Sequence, residues 1–143
     1  MTQEEKDLLL KDLCARLPHG VKLNMKGLIG VSHHTTILYG KNTEIYFRYS
    51  CNDYFINEVK PYLFPLSSMT EEQYESLRES GILSNCSHSY EYVNSHIYGV
   101  SFIFKEFKTY SLELIEWLNK NHFDYRGLIE KGLAINAAGL NIY

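Results

Sequence analysis

Helix-start signals occur at three places in the chain, and apolar residues at helical spacing follow each of them. Thr2 and Glu5 fit a capping box, in which each side chain satisfies a free backbone amide at the start of a helix. Thr70 and Gln73 fit a second capping box, and Ser111 is placed to cap a third helix. The sequence therefore predicts three helices: one that Pro18 ends, one that Gly81 ends and one over Leu112–Lys120.

The first of these helices carries an apolar stripe whose members recur at helical spacing. The stripe consists of Leu9, Leu10, Leu13, Cys14 and Leu17. Such a stripe normally packs against the core of the domain. We therefore expect Cys14 to be a core thiol rather than a nucleophile.

Stretches in which apolar and polar residues alternate, as they do in half-buried strands, separate the predicted helices. They are Val21–Lys26, Thr35–Tyr39, Thr43–Tyr49, Asp53–Val59, Ser89–Val93 and Ile97–Phe104. Gly40–Asn42 fits a hairpin turn, and we expect the apolar stretch between Pro61 and Pro65 to be irregular. This order of elements predicts the α+β class, as a single domain over residues 1–143 in which a mostly antiparallel sheet packs with about three helices.

Length and charge narrow the classes of function. The 143 residues are enough for one hydrophobic core without disulfides or a structural metal. The formal net charge of -3 argues against a nucleic-acid-binding domain, whose affinity depends largely on basic residues that neutralise phosphates, and against an electrostatic membrane anchor. The number of cysteines, three, is odd and their spacing is wide, which argues against a disulfide framework. The first residues of the sequence lack the features of a signal peptide. We therefore predict a cytoplasmic protein with free thiols, without a cofactor and without a bound metal.

Tyrosine is the unusual part of the composition, because the chain contains 12 tyrosines and 14% aromatic residues. One interpretation is structural, since tyrosine is favoured in strands. The other is functional, since tyrosine is enriched at protein interfaces, where a surface must be both apolar and wet. Both interpretations stay open on the sequence alone.

One short segment after the third predicted helix contains side chains that could act together on a ligand. If the backbone there is extended, His122, Asp124 and Arg126 point to the same side. An imidazole, a carboxylate and a guanidinium could then bind an anion or transfer a proton. The alternative is local structure, in which Asn121 ends the helix, His122 complements the helix dipole and Asp124 caps a following turn.

A second candidate is a zinc site that would use Cys86, His88 and His96, since both residue types are zinc ligands. A closed structural site needs a fourth ligand, which would come from His33, His34, Cys51 or Asp53. The spacing of these residues matches no established zinc pattern. We therefore predict no metal site, and we expect the His33–His34 pair to lie in a loop.

Three stretches of the chain resemble a group of short, uncharacterised proteins of gut Bacteroidales and their mobile elements. They are MTQEEKDLLLKDLCARLPHGVK at residues 1–22, EVKPYLFPLSSMTEE at residues 58–72 and EWLNKNHFDYRGLIEKGLAI at residues 116–135. Many members of the group have a basic residue in place of Phe64 and an acidic, proline-containing ending in place of residues 136–139. The resemblance implies an accessory or counter-defence protein that works by binding, and it implies no particular reaction.

The sequence contains neither the nucleophile motif of a serine hydrolase nor a paired-carboxylate cluster. The leading hypothesis is therefore a non-enzymatic module, from a mobile element or phage, that binds a partner protein or a copy of itself through a tyrosine-bearing surface. The alternative is a small enzyme or anion-binding protein that uses His122, Asp124 and Arg126.

Overall fold

The computed structural model of the protein describes residues 1–31, 36–39, 45–97 and 99–143. The predicted turn at residues 40–42 and the His33–His34 pair lie outside the described residues. The helices are α1 (Gln3–Arg16), α2 (Glu71–Glu79) and α3 (Leu112–Lys120). The strands are β1 (Lys22–Met25), β2 (Leu28–Val31), β3 (Thr36–Tyr39), β4 (Ile45–Tyr49), β5 (Asn52–Phe55), β6 (Val59–Pro65), β7 (His88–Ser95), β8 (Gly99–Phe107), β9 (Phe123–Asp124) and β10 (Ile135–Asn136).

The predicted α+β class is confirmed: the described residues form three α-helices, and most strand pairs are antiparallel. In the part of the chain that the structure describes, the strands lie in three sheets rather than in one. The chain also groups into two compact units, which we call unit 1 (residues 1–63 and 126–143) and unit 2 (residues 64–125). Each unit has its own cluster of buried apolar residues, and the single-domain organisation stays a prediction.

Unit 1 contains α1 and two sheets. In the first sheet, β1 pairs antiparallel with β2 and β6, and β10 adds to β6 in parallel. In the second sheet, β3, β4 and β5 form an antiparallel meander. A Cβ at Gly30 of β2 would overlap with Cε of Met25 and lie 3.0 Å from two ring carbons of Tyr49, so the glycine leaves room for these two side chains.

The helix α1 begins as predicted but presents a different face to the core. Thr2 and Glu5 form the predicted capping box. The buried residues of α1 are Leu9, Asp12, Leu13 and Arg16, whereas Cys14 is exposed. The prediction that Cys14 is a core thiol is therefore wrong. At about 100° per residue, Cys14 lies far round the helix from the mean direction of the four buried residues.

The stretch between Pro61 and Pro65 is part of the regular strand β6, so the prediction of an irregular segment is wrong. Proline fixes φ within the extended range, and it also pushes the preceding residue towards extended backbone. The prolines are therefore compatible with the extended backbone of β6, although neither of them can donate a ladder hydrogen bond. The predicted strand over Asp53–Val59 is shorter than expected, because a 3₁₀ turn at Ile56–Glu58 follows β5.

Unit 2 contains α2, α3, the hairpin of β7 and β8, and the short strand β9. Within this unit, β9 pairs in parallel with Phe64 and Pro65, the last residues of β6. The expectation that the hairpin strands join the other strands in one sheet is wrong, because β7 and β8 pair with each other in a sheet of their own. They bury apolar side chains against the helices of unit 2 instead. The buried cluster of unit 2 consists of Met69, Tyr74, Leu77, Leu83, Cys86, Phe104, Phe107, Leu114, Leu118 and Phe123.

Candidate functional site

The hairpin of β7 and β8 carries most of its aromatic side chains on one face. The strands are antiparallel, and Tyr90 pairs with Phe104 and Tyr92 with Phe102. Residues directly opposite each other project from the same side of a sheet, and so do residues two apart on one strand. We call this side the aromatic face; it consists of His88, Tyr90, Tyr92, Phe102, Phe104 and Phe107.

A β-bulge brings the last of these side chains to the aromatic face. The pairing shifts between Ser89 and Tyr90, which leaves Lys105 of β8 as an extra residue. In a regular strand, Phe104 and Phe107 would point to opposite sides, because they are three residues apart. The extra residue returns Phe107 to the side of Phe104, and their ring centroids lie 4.5 Å apart.

The side chain of Tyr74, which belongs to α2, packs against the aromatic face. It is buried, and its ring centroid lies 4.9 Å from that of Tyr90 and 5.3 Å from that of Phe102. The Tyr74 hydroxyl lies 3.0 Å from His88 Nε2, and His88 Nδ1 lies 3.0 Å from the carbonyl oxygen of Cys86. A carbonyl only accepts, so in the neutral imidazole Nδ1–H donates to it and Nε2 accepts from the tyrosine. Burial raises the pKa of Tyr74, and so does the neighbouring Tyr90.

The aromatic face passes from fully buried to half-exposed along the hairpin. Phe104 is fully buried, whereas Tyr90 is 43% exposed and Tyr92 is 50% exposed. Further towards the turn, Val100 is 66% exposed on the same face, and Ile97 in the turn is 82% exposed. The end of the hairpin nearest the turn therefore exposes several large apolar side chains.

An acidic side chain, that of Glu71, lies beside the exposed end of the aromatic face. The Tyr92 hydroxyl donates to Glu71 Oε1 at 2.6 Å, and this hydrogen bond, together with a smaller desolvation effect, raises the pKa of Tyr92 to about 12. Glu71 and Glu72 lie in the first turn of α2. Residues 64–125 contain nine Asp and Glu against four Lys and Arg, whereas the rest of the chain has a small basic excess. The negative charge of the protein is therefore concentrated in unit 2.

His122, one of the predicted ligand residues, follows the end of α3. Asn121 ends this helix, as the local-structure alternative predicts, and its Nδ2 donates to the carbonyl of Trp117. His122 is buried with a φ of +60°, and its amide donates to the carbonyl of Asn119. The backbone is therefore not extended at His122, which removes the geometric reason for placing its side chain on the same side as the other two predicted ligands.

The other two predicted ligand residues lie in different units. Asp124 belongs to β9 in unit 2, where it is buried and pairs with Pro65. Arg126 belongs to unit 1, where its Nε lies 3.3 Å from Oδ1 of the buried Asp12. The binding role of His122, Asp124 and Arg126 stays a prediction.

The three residues considered as zinc ligands, Cys86, His88 and His96, are either engaged in hydrogen bonds or exposed to solvent. Cys86 is buried, and its thiol donates to the carbonyl of Ile82 at 3.5 Å. Both ring nitrogens of His88 are engaged in the contacts with Tyr74 and Cys86, and His96 lies exposed in the hairpin turn. Within the described residues, no three His, Cys, Asp or Glu side chains are grouped so that they could hold a metal ion.

A cavity of about 250 Å³ lies in unit 2 between the end of α2 and the start of α3. Its lining consists of Ser80, Gly81, Ile82, Asn85, Ser111 and Glu113. Ser80 and Ser111 already use their hydroxyls in contacts with the backbone of their own helices. The lining therefore combines the amide of Asn85 and the carboxylate of Glu113 with two serine hydroxyls that already contact the backbone.

The sequence pointed to a tyrosine-bearing surface but not to its position. Tyr74, Tyr90, Tyr92 and Glu71, which contact one another at the aromatic face, each carry only the ordinary signal of a strand or a helix. Alternation along β8 and the capping box of α2 indicated that the two elements exist. Which tyrosines stay exposed depends on how α2 packs on the hairpin, and no local pattern records that packing.

Comparison of the chain with protein-family models, with curated proteins and with solved structures found no match. Among the helices in the described part of the chain, none combines the length and the apolar character that a bilayer crossing requires.

Proposed function

We propose that this protein is a non-enzymatic binding module that contacts another protein through the exposed end of the aromatic face. The observation that carries the proposal is the pair Tyr90 and Tyr92, which are half-exposed yet packed on a buried aromatic cluster. Tyrosine gives a large, amphipathic contact area at a low cost in side-chain entropy, which is why it is frequent at binding surfaces.

The packing beneath the tyrosines supports this proposal further. Ring contacts run without a break from Phe104 through Tyr74 to Tyr90, and from Tyr90 to Tyr92 at 5.9 Å. The Tyr92 hydroxyl is also fixed by Glu71. Rings held in this way lose little conformational freedom when a partner binds, so more of the contact energy appears as affinity.

A role as an accessory protein agrees with the resemblance to the Bacteroidales mobile-element proteins, which implies action by binding. We place the protein in the cytoplasm, because its three cysteines are free thiols and two of them, Cys14 and Cys51, are exposed. Exposed thiols of this kind persist in a reducing compartment.

The test compares two double variants in a quantitative pull-down from extract of the cells that naturally make the protein. Tyr90→Ala with Tyr92→Ala changes the aromatic face. Leu28→Ala with Ile29→Ala is the control, since these residues of β2 are 54% and 55% exposed and belong to unit 1. The proposal expects at least one partner that the wild type and the control retain and the tyrosine variant loses.

Circular dichroism must show that both double variants keep the wild-type helix and strand content, so that lost binding is not lost folding. Light scattering of the purified wild type then separates a foreign partner from a second copy of the chain. Partners that the tyrosine variant and the wild type retain equally would contradict the proposal.

A further inference from the structure

The two elements that build the proposed binding surface, α2 and the β7–β8 hairpin, carry mostly negative charge. Helix α2 and the β7–β8 hairpin together carry six glutamates and only two basic residues, Arg78 and Lys105. Both basic residues are already in ion pairs, Arg78 with Glu75 and Lys105 with Glu91. A partner that approaches the aromatic face therefore meets a negative potential that the surface itself does not neutralise.

The exposed tyrosine rings suit a cation better than a neutral group. The rings of Tyr90 and Tyr92 meet at 89°, so that an edge of one approaches a face of the other and neither ring is fully covered. A guanidinium or an ammonium group near a ring face is attracted by the negative charge of the π-system. Since the Tyr92 hydroxyl donates to the Glu71 carboxylate, electron density on that ring rises and this attraction becomes stronger.

On the basis of the proposed binding function, we propose that the partner presents a basic segment. The arginine or lysine side chains of this segment stack on Tyr90 and Tyr92 and lie opposite the glutamates of α2. A second copy of the chain is the less suitable occupant, because unit 2 carries a formal charge of -5 and would repel itself. A nucleic-acid backbone is excluded as the occupant by the same sign of charge.

The probe is a fluorescein-labelled peptide of six Arg-Gly repeats, and its binding is measured by fluorescence anisotropy at low and at high salt. A peptide of six Glu-Gly repeats is the charge control. The proposal expects that only the arginine peptide binds. It also expects that raised salt weakens this binding, since screening shortens the range of the attraction.

Tyrosine variants separate ring stacking from charge alone. We expect Tyr92→Leu, which keeps an apolar side chain but removes the ring, to weaken binding of the arginine peptide by about two- to fivefold, the range of an exposed cation–π contact. Tyr110→Leu is the matched control, because Tyr110 is 40% exposed in unit 2 but lies outside the aromatic face. This control should bind within about twofold of wild type, as expected for a surface change away from the contact.

Backbone amide chemical-shift mapping on the wild type gives a second readout that needs no variant. Shifts caused by the arginine peptide should lie in α2 and in the β7–β8 hairpin. Shifts spread over the whole chain, equal binding of the glutamate peptide, or equal weakening by Tyr92→Leu and Tyr110→Leu would each overturn the basic-partner proposal.

The two proposals fail separately. If the pull-down finds a partner that depends on Tyr90 and Tyr92 but the arginine peptide does not bind, the binding function stands and the basic partner is wrong. If light scattering shows a dimer that the tyrosine variants disrupt, the occupant is a second copy and the basic partner is again wrong.

Discussion

The buried carboxylate of Asp12 in unit 1 gives a prediction of large effect. Asp12 and Arg16 are fully buried on one face of α1, and Arg16 Nε donates to Asp12 Oδ2 at 2.7 Å. The second carboxylate oxygen, Oδ1, faces Arg126 Nε at 3.3 Å, an ion-pair contact without the geometry of a hydrogen bond. One carboxylate therefore contacts two guanidinium groups within unit 1.

Replacing Asp12 with alanine should cost about 3–5 kcal/mol of unfolding free energy, as is usual when one partner of a buried ion pair is removed. At 2.7 Å the attraction between the Asp12 and Arg16 groups is about 6 kcal/mol if the effective dielectric constant is about 20. The net cost is smaller than this attraction, because the folded protein no longer has to desolvate the carboxylate. Most of the cost comes from the loss of this attraction at the guanidinium of Arg16, which is also fully buried.

Urea unfolding followed by circular dichroism measures this cost, with Asp7→Ala as the matched control. Asp7 lies on the exposed side of the same helix, so its replacement should change the unfolding free energy by less than about 0.5 kcal/mol. Asp12→Asn keeps the shape of the side chain and removes its charge, so a cost close to that of Asp12→Ala would assign the effect to charge. Equal midpoints for Asp12→Ala and Asp7→Ala would refute the reasoning.

Two further predictions concern exposed groups. Cys14 and Cys51 should react quickly with Ellman's reagent in the native protein, and Cys86 only after denaturation, because the first two thiols are exposed and the third is buried; a rapid count of three thiols would contradict this. In an alkaline titration followed by ultraviolet difference spectra between wild type and Tyr92→Phe, Tyr92 should ionise with a pKa of about 12, and Glu71→Gln should lower that pKa towards the usual value of about 10. The pKa of Tyr92 is higher in the folded protein than in the unfolded chain, so the stability that this hydrogen bond contributes is complete below about pH 10 and is lost as the pH rises towards 12. An unchanged pKa of Tyr92 in Glu71→Gln would count against the role of the Glu71 hydrogen bond.

Helix positions could be predicted from the sequence because the signals that start and end a helix are local. Thr70 and Gln73 satisfy each other's backbone amides at 3.2 and 2.9 Å, in the capping box that their spacing indicates. Gly81, placed to end α2, has the left-handed φ of +78° that favours glycine there. Each of these contacts joins residues at most four apart, so no knowledge of the tertiary fold is needed to anticipate them.

The face that a helix buries could not be predicted as reliably, and α1 shows why. Apolar spacing alone favoured a stripe that includes Cys14, whereas the core side includes the charged residues Asp12 and Arg16. A buried ion pair removes the usual relation between polarity and exposure, because each charge satisfies the other. The i, i+4 spacing of the two residues was visible in the sequence, but the same spacing is common in exposed helix pairs.

Strand pairing depends on partners distant in sequence, and this is where the prediction of a single sheet failed. The hairpin of unit 2 has the same alternation of apolar and polar residues as the strands of unit 1. Its sequence alone therefore does not predict which strands it pairs with. What decides the outcome is the packing of Tyr74 on the aromatic face, which gives β7 and β8 an apolar partner within unit 2. The β2 strand of unit 1 escaped prediction because Leu28 and Ile29, its exposed residues, do not alternate with polar ones.

The candidate site was hidden in the sequence for a related reason. Phe104 and Tyr92 lie on the same face of the hairpin, and both are aromatic, yet one is fully buried and the other is half-exposed. Phe104 packs on Phe107 inside the buried cluster of unit 2, whereas Tyr92 lies nearer the hairpin turn, where its hydroxyl meets Glu71 at the start of α2. The exposed end of the aromatic face continues the hydrophobic core of unit 2, and it lies beside the first turn of α2. The two residues that start α2, Thr70 and Glu71, therefore also define where the proposed contact with a partner begins.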